Sequence, residues 1–178
     1  MNIHLRKVQE NDLLGFNEAL NEVCAERKYL ASINGFSIEM HWDFLCEVLL
    51  RGAPQIVALN DSKIIGWCDI RPRELEGFTH VGRLGMGVKK AYRRLGIGEL
   101  LLDECLRDAR SGGIEKVELE VFSDNIPAVQ LYRKHGFLEE GRKIKARKLD
   151  GNYQDIILMG LQLQSFQVKN RGCCGSIG

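Results

Sequence analysis

The sequence predicts an α/β fold: a single mixed, mostly antiparallel twisted sheet of about seven strands, flanked by about four helices. Two observations carry that expectation. Seven short apolar-rich stretches read as strands, and in four others apolar residues recur at helical spacing. Turn residues at Asn60-Asp61-Ser62 and Asp150-Gly151 join neighbouring strands as hairpins, which makes much of the pairing antiparallel. A length of 178 residues, 44% hydrophobic and 28% charged, with no internal repeat or linker, suits one domain over residues 1–163. Residues 164–178, with Asn-Arg-Gly-Cys-Cys-Gly-Ser-Ile-Gly at their end, read as a flexible tail.

In order along the chain, Ile3 to Val8 reads as the opening strand, and Leu13, Phe16, Leu20, Val23 and Cys24 then recur on one helical face. Ser37 caps a second helix in which Ile38, Trp42, Leu45 and Leu49 form a stripe, stopped by Gly52 and Pro54. These two helices are expected to border an acceptor site. Gln55 to Leu59 and Lys63 to Ile70 form a hairpin, and His80 to Val88 follows as a strand. Leu101, Leu102, Cys105, Leu106 and Ala109 give a third helix its buried face, ended by Gly112 and Gly113. Lys116 to Phe122 is a strand and Ile126 to His135 a helix, and Phe137 to Ile144 pairs with Tyr153 to Leu161. The apolar last strand offers an edge for pairing between chains, so a homodimer is one expected assembly.

The chemistry concentrates where the fourth strand runs into the third helix, through Val88-Lys-Lys-Ala-Tyr-Arg-Arg-Leu-Gly-Ile-Gly98. The first amides of a helix lack partners and carry the positive end of its dipole, so they favour an anion. Gly96 and Gly98 keep Cβ atoms out of the way, and Lys89, Lys90, Arg93 and Arg94 add mobile positive charge. The turn from Arg93 through Arg94, Leu95, Gly96 and Ile97 to Gly98 therefore reads as a pyrophosphate cradle. The hydrolytic P-loop pattern is absent, and the glycine spacing does not fit a dinucleotide fold.

Other function classes are disfavoured. A net charge of +1 gives no field for a polyanion, and the basic run Gly141 to Lys148 lacks interleaved aromatics, so nucleic acid is not an expected partner. Its alternating charges suit an exposed strand edge. No apolar run reaches eighteen residues and the first residues lack a signal-peptide core, so the expected setting is cytoplasmic, with no membrane partner. Cys24, Cys46, Cys68, Cys105, Cys173 and Cys174 show no metal-ligand spacing and read as reduced thiols, with no metal expected.

Val88-x-x-x-x-Arg93-x-x-Gly96-x-Gly98, followed by Asn125-x-x-Ala128-x-x-Leu131-Tyr132-x-x-x-Gly136-Phe137, resembles the acetyl-coenzyme A site of the GNAT superfamily of N-acetyltransferases. The resemblance runs from Ile3 to about Leu163, with Lys90 standing where many members have proline. It implies acetyl-CoA as cosubstrate and direct transfer of the acetyl group to a primary amine in a ternary complex. It further implies that backbone at Met86, Gly87 and Val88 pairs with the pantetheine arm, with an N–H near Met86 aimed at the thioester oxygen. Asn125, which can equally cap its helix, would bond the cofactor arm, and Tyr132 would protonate the departing thiolate. Similarity to the branch acting on small amines and amino acids implies a small-molecule acceptor. A protein acetyltransferase, N-terminal or ribosomal, and a silent CoA-binding regulator are the alternatives.

Two features of the residues stay open at this level. Gly85 and Gly87 flank Met86 in a strand, which signals either a ligand or backbone approaching closely or tight helix packing. The base that accepts the amine proton is Glu120 in the leading reading, with Asp69, His80 or a water chain as alternatives, because each interrupts a strand that favours apolar residues.

Overall fold

A computed structural model describes residues 2–163, so the expected tail and its two cysteines lie outside the described residues. Seven strands form one sheet in the order β1-β2-β3-β4-β5-β7-β6. They are β1 (Ile3–Lys7), β2 (Gln55–Asn60), β3 (Lys63–Pro72), β4 (Val81–Val88), β5 (Lys116–Phe122), β6 (Leu138–Leu149) and β7 (Asn152–Gln162). All adjacent pairs are antiparallel except β4 with β5. The helices are α1 (Leu13–Ala25), α2 (Ile38–Arg51), α3 (Ile97–Ser111) and α4 (Ile126–Lys134).

Side-chain alternation on the strands divides the core into two layers. Ile56, Ala58, Ile65, Cys68, Ile70, Leu84, Val117, Leu119 and Val121 meet Leu101, Leu102 and Cys105 of α3 and Val129 and Tyr132 of α4. Val57, Leu59, Ile64 and Trp67 meet Phe16, Ala19 and Val23 of α1 and Leu45 and Val48 of α2. Ser37 accepts from the Met40 amide at the start of α2, and left-handed Gly52 ends it, as their residue types require.

Two expectations are corrected. In α2 the inward stripe is His41, Leu45 and Val48, while Ile38, Trp42 and Leu49 stay largely exposed. Both sets have helical spacing, and packing against Phe16 and the sheet selects the one centred on Leu45. The last strand is no edge: β7 is enclosed by β5 and β6, which leaves the charged β6 outermost. Its apolar run reflects pairing on both sides, and the charges on β6 guard the true edge. The hairpin tip Asp150-Gly151 has φ of 49° and 80°, as a two-residue turn of this chemistry demands.

Candidate active site

The parallel pair β4–β5 is registered only through Val81↔Lys116, Gly82↔Val117 and Arg83↔Glu118. Beyond that point β4 continues to Val88 against β3, while Leu119 to Phe122 of β5 follow β7. The two central strands therefore part. Gly85 to Val88 are only half-buried although they lie in the middle of the sheet, because the β5 side of the strand is open there. An open strand edge inside a domain can accept an extended chain with its own amides.

Gly85 and Gly87 have a cause other than the two foreseen. A Cβ at Gly87 would collide with the Trp67 indole, and one at Gly85 would lie 3.1 and 3.3 Å from the Asp69 carboxylate oxygens. Side chains of β3 thus lie across β4 on the face covered by α1 and α2. On the opposite face, a Cβ at Gly98 would lie 3.5 Å from both the Met86 methyl and Leu131. The middle of β4, the start of α3 and α4 converge at that point.

At the wide end of the parting, the cradle expected from Arg93 to Gly98 bends through left-handed Arg94 (φ 61°) and Gly96 (φ 79°) into α3. The amides of Glu99 and Leu100 both reach the Gly96 carbonyl at 3.1 Å, which leaves the preceding helix amides, those of Ile97 and Gly98, without intrahelical partners. Gly96 serves the bend itself, since a Cβ there would meet nothing within 4 Å.

Two of the four basic side chains are not mobile. Arg93 is held by both Glu26 oxygens and by the Val88 carbonyl at 2.8 Å, and its guanidinium lies 4.5 Å from the Tyr29 ring centre. Lys89 binds Glu22 at 2.6 Å and Glu18 at 3.3 Å. Glu18, Glu22 and Glu26 recur every four residues along α1 and past its end, a spacing visible in the sequence that ties the cradle to this helix. Lys90 and Arg94 remain exposed beside the turn.

Tyr132 is buried in α4, with its ring 5.6 Å from that of Phe137. Burial, with the neighbouring Cys68 thiol, pushes its pKa well above the usual phenol range, so the hydroxyl keeps its proton. Cys68 is the register partner of Met86, which sets Tyr132 beside the middle of β4. Asn125 occupies the N-cap of α4 but makes no side-chain cap bond. The next but one residue is Pro127, which has no N–H, and the Ala128 amide bonds to the Asn125 backbone carbonyl at 3.1 Å, so there is little for the side chain to cap.

The three base candidates differ sharply. Glu120 is a third exposed, with Lys143 at 2.9 Å and Arg83 at 3.8 Å. His80 precedes β4 instead of starting it, and its carbonyl accepts from the amides of Glu115 and Lys116. Asp69 is buried, and desolvation raises its pKa to about 7 against the weaker opposing pull of Arg71. Directly across the ladder stands Gln55, whose buried amide group has no hydrogen-bond partner. Among the described residues, Glu99, Asp103 and His135 bring three possible metal ligands within 4.8 Å, but Lys134 already binds Glu99 at 2.6 Å. No helix among the described residues is long and apolar enough to cross a membrane.

The two central strands thus part beside the N-terminus of α3. The Acetyltransferase (GNAT) family profile matches residues 18–137. The chain belongs to this family. It is 30% identical over 109 residues to the L-amino acid N-acetyltransferase AaaT of Escherichia coli (strain K12), a match covering 61% of this chain and 67% of the relative. It is 36% identical over 118 residues to an N-alpha-acetyltransferase of Sulfurisphaera tokodaii, covering 60% of this chain and 68% of that one. The fold superposes with a TM-score of 0.86 on the acetyltransferase yncA of Salmonella typhimurium, solved with its cofactor acetyl-CoA, at 19% identity over 96% of this chain and 99% of that one. This GNAT chain is an acetyl-CoA-dependent N-acetyltransferase, with acetyl-CoA as cosubstrate.

Proposed function

We propose that the protein transfers acetyl directly from acetyl-CoA to the primary amine of a small molecule, an amine or amino acid, within a ternary complex. The observation that carries this reading is the parting of β4 from β5 with the helix-terminal cradle at its wide end. The amides of Arg94 to Gly98 hold the diphosphate, and Lys90 and Arg94 supply charge. Backbone at Met86, Gly87 and Val88 orients the arm, and an N–H near Met86 stabilises the oxyanion as the amine adds. Asn125, its side chain unused as a cap, bonds the arm. The C–S bond then breaks, and the thiolate takes the Tyr132 proton. Proton loss from the nitrogen, through solvent, restores the phenol.

A small acceptor suits the bridge across the mouth. Tyr29 lies against Arg93 near the end of β4, and Arg147 lies 4.7 Å from the Phe122 ring at the end of β5. Arg147 donates to the Arg27 carbonyl at 3.1 Å, and Arg27 pairs with Asp150 at 2.9 Å. We read that bridge as narrowing the mouth, which favours a small acceptor over a chain terminus. The cytoplasm is the setting proposed for this reaction.

A mass-spectrometric screen with acetyl-CoA and parallel pools of free amino acids, polyamines and peptides tests the reading. The expected product is an N-acetylated small molecule with CoA released in equal amount. Acetylated peptides alone would transfer the protein to the polypeptide-modifying group. Binding of acetyl-CoA with no product in any pool would make it a silent CoA-binding regulator.

A further inference from the structure

On the face of the sheet opposite α3 and α4, β3 and β4 set two register pairs side by side: Asp69↔Gly85 and, two residues on, Arg71↔Arg83. Residues two apart on a strand share a face and stand about 6.6 Å apart. Arg83 is also the last β4 residue registered with β5 and so marks the apex of the parting. Asp69 and Gly85 lie one step inside it, next to the Cys68↔Met86 pair beneath Tyr132.

The arginine pair is unusual. Directly opposed side chains approach within about 5 Å between Cβ atoms, and like charges there repel. Neither guanidinium has a close carboxylate: Arg71 stands 3.5 Å from Asp69 and lies over the Phe44 ring, and Arg83 reaches Glu120 only at 3.8 Å. Both are more than half exposed. Two guanidiniums side by side, each half-exposed and in a single long ion pair, form a receptor for a planar oxyanion, whose charge relieves their repulsion.

Asp69 is the complementary feature. Its carboxylate lies over Gly85, where a Cβ would come within 3.1 and 3.3 Å of its oxygens. Glu120, by contrast, is already bonded to Lys143.

We infer that Asp69 accepts the proton of the acceptor ammonium and that Arg71 and Arg83 bind a carboxylate on the same molecule, so that the site selects amino acids over simple amines. The inference rests on the transferase reading above. The ammonium gives one proton to the Asp69 carboxylate, and the freed nitrogen lone pair forms the C–N bond. Expulsion of the thiolate and its protonation by Tyr132 follow as already described, and Asp69 returns its proton to solvent.

The groups around Asp69 agree with that role. β2 presents uncharged Gln55, β3 presents Arg71, and β4 presents Gly85 and Arg83. α2 brings His41 into the layer that covers β3, and burial lowers the pKa of its imidazole, so it is neutral at pH 7. Cys68, on the opposite face, stays a thiol because burial raises its pKa. Arg71 alone opposes desolvation, and the carboxyl titrates where a base for an amine is useful.

Steady-state kinetics with each of the twenty amino acids and its α-carboxamide decide the matter, with CoA binding by calorimetry as a control. The wild type is expected to favour the acid over the amide at least ten-fold in kcat/KM for its preferred side chain. Arg83→Gln and Arg71→Gln should bring that ratio toward one, mainly through KM for the acid. Asp69→Asn should lower kcat about a hundred-fold or more on acid and amide alike and remove the acidic limb of the pH profile near 7. All three variants should bind CoA as the wild type does. Equal use of acid and amide by the wild type, an unchanged ratio in both arginine variants, or an unchanged pH profile in Asp69→Asn would overturn the inference while leaving the transferase reading intact. Failure to bind CoA, or release of no CoA with any amine, would instead strike the transferase reading.

Discussion

In the proposed reading, the two faces of the sheet around β4 recognise ligands by different physics. On the α3 and α4 side, backbone does the work: a bent strand edge, a left-handed turn and the first amides of a helix. On the α1 and α2 side, side chains from β2, β3 and β4 make a charged surface around Asp69, Arg71 and Arg83. Backbone recognition requires particular residues at fixed spacing, and it leaves a motif. Side-chain recognition assembles residues from separate strands and leaves none, which frees the acceptor to vary while the carrier stays the same.

The sharpest way to break this division is at Tyr132. In the proposed mechanism its phenol, buried and held neutral, acts only on the leaving thiolate, so Tyr132→Phe should lower kcat by about ten- to ten-thousand-fold with CoA affinity nearly unchanged. Single-turnover thiol release measures it, and wild-type turnover would remove the residue from the chemistry. Next in size is Gly87→Ala, which would drive a methyl group into the Trp67 ring. Forced overpacking of this kind costs roughly 1–3 kcal/mol, and denaturant melts should show it. No loss of stability would mean that Trp67 does not lie across β4.

Asp69 sharpens the comparison through pH. Its folded pKa of about 7 stands above the ordinary 3.8, so the folded state holds an extra proton between those values. The stability this group contributes is present in full below about pH 4 and is lost as pH rises through 7. Asp69→Asn should therefore melt at a higher temperature than wild type at pH 8, by a stability gain of about 1–4 kcal/mol, with the difference shrinking toward pH 5. A variant less stable at pH 8 would contradict buried charge at this position. The smallest effect belongs to the tether between the faces. Glu26→Gln releases Arg93, and it should weaken CoA binding about two- to ten-fold and cost about 1 kcal/mol of stability. Unchanged affinity would show that α1 does not shape the cradle.

The pattern of what was legible follows the same division. Alternation fixed β5 at Lys116–Phe122 to the residue, and Ser37 and Gly52 marked the ends of α2 because capping is local. The turn from Arg93 to Gly98 into α3 and the place of Tyr132 on α4 could be read because each depends on residues a few places apart. The buried stripe of α2 could not, since two sets had equal spacing and only contact with the sheet chose His41, Leu45 and Val48. The central place of β7 was hidden because strand order is a long-range property. Gly85 and Gly87 announced a close approach, but the Asp69 and Trp67 that approach them come from another strand, whose register no single segment contains. Glu18, Glu22 and Glu26 showed their helical spacing, yet their partners Lys89 and Arg93 lie some seventy residues away.

The central claim is that the open side of β4 and the amides leading into α3 take the carrier through main-chain hydrogen bonds. Amide hydrogen exchange with and without saturating acetyl-CoA tests it most directly. Strong slowing confined to Met86–Val88 and Arg94–Gly98 is the expected result. Binding without slowing at either segment would contradict it.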